Sequence, residues 1–144
     1  MESYPTIVFM KHLPNIIGAL LGLAFVAFGI MFFLKVEGGP PPEPGSPPAL
    51  FMAAMIPTGY FAFVKVLEIL GGLLLIIPSV RAFGLLIIGP ILINILAFHA
   101  FLMSGKTLFD PVLILICVLA AYLLWTERRG FLGLCRCCRS CEKS

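Results

Sequence analysis

The chain has 144 residues, of which 60% are hydrophobic and 12% are charged, and its formal net charge is +3. Its mean hydropathy is +1.09. Soluble domains carry roughly 45–50% apolar and about 25% charged residues, and one core of this size cannot hide so much apolar surface. The composition therefore excludes a water-soluble domain and indicates an integral membrane protein.

The length also limits what the protein does. At about 20 residues per span, four transmembrane helices use most of the chain and leave only short loops. No room remains for a soluble catalytic domain, so we do not expect a stand-alone enzyme. The basic residues cluster beside hydrophobic spans without interleaved base-stacking aromatics, which argues against nucleic acid as a partner and leaves the lipid bilayer.

The first predicted span is the uncharged run 13–34, which follows a short N-terminal segment, 1–12. It is too long for the apolar part of a signal peptide, and no small-residue cleavage site follows before Lys35. The next stretch, 36–49, holds six of the twelve prolines and predicts an exposed, non-helical loop. The short apolar segment 50–58 is predicted to be re-entrant or to lie at the interface.

The rest of the predicted bundle follows from apolar runs of helical length. The complete prediction is an all-α, four-helix membrane domain over residues 13–126, followed by a basic, cysteine-rich cytoplasmic tail, 127–144. Its second, third and fourth spans are predicted at 59–77, 82–103 and 111–126.

Four spans place both termini on one side of the membrane. The basic residues are unevenly divided between the two sides, and cytoplasmic loops carry the excess of Lys and Arg. Both termini are therefore predicted to be cytoplasmic. The terminal side carries Lys11, Arg81, Arg128, Arg129, Arg136, Arg139 and Lys143, and the other side carries Lys35 and Lys106.

Small residues in the first two spans indicate close helix packing. Gly18 and Gly22 have a small-xxx-small spacing, and Gly71 and Gly72 admit the same reading. Such positions let another helix approach closely. Packing within the bundle is favoured, and a homo-oligomer interface is the alternative.

The polar residues inside the predicted spans form the candidate site. A charged group in the bilayer costs roughly 2.5–3.5 kcal/mol on insertion scales, and Lys65 and Glu68 are three residues apart, so an ion pair on one helix face is expected. From the helical rise, these two lie about 9 and 13 Å below the outer end of the second span. His99 and Asn94 lie about 6 and 13 Å below the same end of the third span. All four are therefore expected to share the outer half of the membrane.

Two readings of this cluster remain open. In the functional reading, it binds a quinone head group or small polar ligand or carries protons, with Glu68 and His99 exchanging them. In the structural reading, Lys65 and Glu68 form a salt bridge that serves helix packing, and Asn94 and His99 form hydrogen bonds between helices. Tyr60 is read as an interface anchor.

Four cysteines in the tail offer thiolates to a soft metal. The favoured alternative to metal binding is that these cysteines stay reduced and unmodified. A further alternative is S-acylation or thiol chemistry of the cysteines, which lie beside arginines. Cys117, in the fourth span, is read as a small buried apolar residue. The tail cysteines are Cys135, Cys137, Cys138 and Cys141.

The order of these features resembles the DoxX-like family of small bacterial membrane proteins. The first helix, IIGALLGLAFVAFGIMFFLK, is followed by a proline-rich loop and by GYFAFVKVLEILGGLLLIIP. The third helix, with Asn94 and His99, is also similar to the family's, whereas the cysteine tail has no counterpart. The matching residues of the second helix are Lys65, Glu68, Gly71, Gly72 and Pro78.

This resemblance implies a four-helix bundle in a bacterial cytoplasmic membrane. It further implies a membrane subunit or accessory protein of a quinone- or thiol-linked redox system, with a redox partner protein. The alternative is a non-catalytic membrane scaffold or small transporter in which the polar cluster is structural.

Overall fold

The computed structural model describes the backbone of residues 4–36, 40–105 and 107–141, and the side chains of 12–36, 40–105, 107–128 and 131. These residues form helices and no strands, which confirms the predicted all-α class for this part of the chain. The helices are α1 (Tyr4–Phe33), α2 (Pro47–Met55), α3 (Tyr60–Ile76), α4 (Arg81–Ala97), a π-helical turn (Phe98–Leu102) and α5 (Pro111–Cys141).

Within the described residues, three helical stretches are long and apolar enough to cross a membrane. They are His12–Phe33, Arg81–Leu102 and Pro111–Arg128. A fourth candidate is formed if α2 and α3, which meet at 86°, count as one broken span. This part of the chain thus has the three to four candidate spans of a multi-pass membrane protein.

Two helices extend beyond the predicted spans. The first predicted span begins at residue 13, whereas α1 begins at Tyr4 and continues through Pro14. The fourth was predicted to end at 126, whereas the α5 backbone is helical to Cys141, within the predicted tail. Hydropathy marks only the apolar part of a helix, and a helix continues into water where nothing breaks it.

The four long helices form a ring of antiparallel neighbours. Helix α3 packs against α1 and α4, and α5 packs against the same two. The buried core lies around the middle of α1 and of α5, in the first two thirds of α4 and at the end of α3. Its most deeply buried large apolar side chains are Phe25, Leu21, Leu75, Ile88 and Leu123.

Glycines set the close approach of α3 to its two neighbours. A Cβ added to Gly22 would collide with the carbonyl oxygen of Gly72, and one added to Gly72 would lie 2.7 Å from the carbonyl oxygen of Gly22. A Cβ on Gly71 would lie 2.7 Å from Ile88 of α4. Adjacent glycines thus bring α3 against a different helix on each side, within one chain.

A buried arginine joins all four helices at the core end. Arg81 of α4 is 2% exposed. Its guanidinium donates from Nε to the carbonyl of Leu75 (3.3 Å), from Nη1 to Glu127 (3.0 Å) and from Nη2 to Asn15 (2.8 Å). A Cβ on Gly18 would lie 2.6 Å from Arg81 Nε, so only glycine leaves room for it. We call these residues the Arg81 clamp; the sequence had assigned Arg81 only as a topology-setting charge.

We predict that Gly22→Ala destabilises the bundle by about 1–3 kcal/mol, because the added methyl group overpacks the α1–α3 contact. Thermal unfolding in mild detergent measures this as a lowered midpoint.

The matched control is Gly89→Ala in α4, where a Cβ meets no atom within 4 Å. It should change the free energy of unfolding by no more than about 1 kcal/mol, the helix-propensity difference between glycine and alanine. Equal midpoints for Gly22→Ala and Gly89→Ala would contradict the packing argument.

Candidate functional site

A cavity of about 610 Å³ occupies the end of the bundle opposite the Arg81 clamp. It lies between the second half of α1, the first half of α3, the end of α4 and the start of α5, and α2 also lines it. Its size is within the range of about 300–1,000 Å³ that is typical of small-molecule sites.

The cavity wall is mainly apolar and rich in aromatic side chains. The first helix, α1, contributes only apolar residues to it, and so does α2. Such a lining suits a flat or aliphatic molecule taken from the lipid phase. The six phenylalanines of the wall are Phe25, Phe28, Phe32, Phe51, Phe61 and Phe98.

All four sequence-predicted polar residues line this one cavity. Lys65 and Glu68 come from α3, Asn94 comes from α4, and His99 comes from the π-helical turn that continues it. Antiparallel packing of α3 and α4 therefore brings them together. The functional role of the four remains a prediction.

Two of the polar residues at the cavity form an ion pair within α3. Lys65 Nζ donates to both carboxylate oxygens of Glu68, at 3.0 and 2.8 Å. The Glu68 side chain is 4% exposed and that of Lys65 is 17% exposed. The ammonium also lies 5.5 Å from the centre of the Phe61 ring. Each charge thus has a compensating partner inside the bundle, which lowers the cost of burying it.

The hydrogen bond of His99 fixes which ring nitrogen carries a proton. Nδ1 lies 2.8 Å from the carbonyl oxygen of Ile95. A carbonyl only accepts, so Nδ1 carries the hydrogen, and in the neutral ring Nε2 is left as an acceptor. The π-helical turn that holds His99 is of a kind often found at functional sites.

Two further polar residues at the cavity were not among the predicted site residues. Asp110 accepts hydrogen bonds at Oδ1 from the backbone N–H groups of Val112 (2.8 Å) and Leu113 (3.3 Å), so it caps the start of α5. Tyr60, read from the sequence as an interface anchor, lines the cavity and is 55% exposed. An Asp-Pro sequence is typical of a helix start, but nothing local in the sequence shows that this start faces a cavity.

The predicted re-entrant segment 50–58 largely coincides with α2 and the turn after it. The Phe51 ring of α2 lies 5.4 Å from the ring of Phe98, and Phe51 and Met52 line the cavity. Gly59 has a φ of +76°, a conformation that glycine adopts without strain, and it stands where the chain turns by 86° from α2 into α3.

The predicted metal ligands Cys135, Cys137, Cys138 and Cys141 have side chains outside the described residues. Among the described residues, no group of three or more His, Cys, Asp or Glu side chains is placed to hold a metal ion. Cys117 packs, half-buried, against the apolar core.

A distant relative is found among known proteins. A 77-residue segment is 35% identical to the uncharacterized protein YwoB of Bacillus subtilis (strain 168), and the match covers 54% of this chain and 48% of that protein. The chain therefore aligns with about half the length of this relative. No family model matches, and no solved structure matches.

We predict that Lys65→Met destabilises the protein by about 3–5 kcal/mol, because it leaves the Glu68 carboxylate buried without its partner. The double variant Lys65→Met/Glu68→Gln removes both charges and should recover most of this loss. Thermal unfolding of the two variants in mild detergent measures the difference. Equal losses in both would show that the ion pair is not what holds Glu68 in place.

Proposed function

We propose that the chain is a DoxX-like membrane subunit or accessory protein of a redox system, and that its cavity binds a quinone-like ligand. The observation that carries this is a ligand-sized cavity with a phenylalanine-rich wall on which Lys65, Glu68, Asn94 and His99 converge. Small-molecule sites combine a largely apolar lining with a few placed polar groups in this way.

The polar groups supply what the head of a quinone-like molecule requires. The Asn94 amide can donate to a ligand carbonyl, and Lys65 orients Glu68 through its two hydrogen bonds. The phenylalanines accommodate the ring and the chain, since aromatic pairs favour stacked or edge-to-face contact. A ligand of this kind reaches the site from the lipid in which it dissolves.

The proposal includes the membership of the chain in the DoxX-like family and its location in a bacterial cytoplasmic membrane. The DoxX-like pattern of the second helix falls on residues with separate tasks: Glu68 lines the cavity, and Gly71 and Gly72 make the helix contacts. The relative in Bacillus subtilis supports a bacterial source, which makes the cytoplasmic membrane the expected location and a redox enzyme the expected partner. A shared fold alone does not establish an activity.

A non-catalytic membrane scaffold is the second candidate. It is favoured by the hydrogen bonds of the candidate residues to the protein itself: Lys65 and Glu68 bind each other, and His99 binds the Ile95 carbonyl. In that case the cavity holds a lipid chain and the polar groups serve helix packing.

We predict that the protein purified in mild detergent retains a quinone-like molecule and that Glu68→Gln and His99→Ala each reduce its occupancy at least severalfold, because the first removes the charge that pairs with Lys65 and the second removes the imidazole at the cavity. Native mass spectrometry with solvent extraction identifies the molecule and measures its occupancy.

The matched controls are Glu43→Gln, in the exposed loop, and His12→Ala, at an exposed position of α1; both should retain it. A folded protein that carries only phospholipid, with Glu68→Gln lowering just the unfolding midpoint, would favour the scaffold.

We also predict that both termini are cytoplasmic. A fluorescent protein that matures only in the cytoplasm should fluoresce when fused to either end in a bacterial host, because the basic residues concentrate on the terminal side. Lys106 lies outside the described residues, as do the side chains of Lys11, Arg129, Arg136, Arg139 and Lys143, so the prediction depends on their number and not on their placement. Fluorescence from only one of the two fusions would indicate an odd number of spans.

A further inference from the structure

We infer that the cavity selects a ligand that donates a hydrogen bond, a hydroxylated aromatic ring such as a hydroquinone, and that His99 Nε2 is the acceptor that determines this selectivity. The inference rests on the proposed function and deepens it, because it states which chemical form of the ligand the site prefers.

The first step is the proton on His99. Nδ1 is engaged with the carbonyl of Ile95 at 2.8 Å, a backbone group that offers no hydrogen in return. The ring nitrogen left for a ligand is Nε2, and in the neutral ring it only accepts. A hydroxyl group can satisfy it, whereas a carbonyl or an ether would place one acceptor against another.

The second step is the balance of the other polar groups. From α3, Glu68 only accepts, and Lys65 donates two of its three N–H groups to the Glu68 oxygens, which leaves one donor. Asp110, before α5, only accepts and has one oxygen occupied by two backbone N–H groups. Acceptors therefore predominate, and Asn94 and Tyr60 are the lining residues that both donate and accept.

The third step is charge. Among the described residues that line the cavity, Lys65 is the one cation, Glu68 and Asp110 are the anions, and α1 and α2 contribute no charged residue. Lys65 is paired with Glu68. An anionic head group, such as a phosphate, would find no unpaired cation among these described residues. A neutral hydroxyl-bearing head is the better match.

The fourth step is the shape of the apolar wall. Six phenylalanines line the cavity, and aromatic rings contribute stacking or edge contacts beyond simple burial of area. A ring with a hydroxyl at its edge uses both features of the site at once, since the ring lies against the phenylalanines while its O–H donates to His99.

The test compares three matched probes: decylhydroquinone, decylbenzoquinone and the dimethyl ether of the hydroquinone. Each is titrated against the full chain in mild detergent by native mass spectrometry, without oxygen and with ascorbate present for the hydroquinone. We expect the hydroquinone to bind roughly tenfold more tightly than the other two, the effect of satisfying one acceptor that the other probes leave without a donor.

Variants of His99 assign the selectivity to this residue. His99→Phe should bind all three probes about equally, whereas His99→Gln, whose amide oxygen accepts, should restore part of the preference. His12→Ala, at an exposed position away from the cavity, should keep the wild-type ratio. A purely structural role for His99 would weaken all three probes in parallel and leave their ratio unchanged, which would overturn the inference.

The wild-type titration alone is decisive if the variants do not fold. Equal binding of the three probes, or tighter binding of the quinone, would overturn the inference and leave the proposed quinone-like site standing. Binding of none of them would overturn the proposed function as well.

Discussion

A guanidinium group without access to water holds one end of this bundle together. Burying such a charge costs several kcal/mol unless its hydrogen bonds are satisfied within the protein, and the partners of Arg81 come from three other helices. The helices therefore have to converge at that end. This convergence also requires a glycine at position 18, because a side chain on Gly18 would occupy the space of the guanidinium. The apolar core fills the layer directly beside the clamp.

The first helix shows how the sequence divides the bundle into a closed half and an open half. Gly18 and Gly22 lie toward the clamp, where α1 approaches α3 backbone to backbone. Further along, Phe28 and Phe32 line the cavity. Gly29, between them, still holds α1 close to α3, because a Cβ there would lie 2.5 Å from Ile69 and 3.2 Å from the carbonyl oxygen of Lys65. The glycines of α1 thus set its contact with α3 along the helix, and the phenylalanines of its second half form the cavity wall.

The sequence predicted what depends on local spacing and on hydropathy. Apolar runs indicated the spans, the three-residue spacing of Lys65 and Glu68 indicated their ion pair, and helical rise placed Asn94 and His99 at a matching depth. The clamp could not be predicted this way, because Arg81 binds Asn15 and Glu127 from 66 and 46 residues away. The π-helical turn likewise depends on packing at the end of α4, and no single residue type specifies it.

The two charged centres differ in a way that bears on function. The Lys65–Glu68 pair is contained in one helix, so it is satisfied however α1, α4 and α5 are placed around it. The Arg81 clamp is satisfied only when four helices meet. Displacement of the helices is therefore costly at the clamp and much less so at the cavity. The buried Lys65–Glu68 pair can therefore stay satisfied while the cavity changes its width around a ligand.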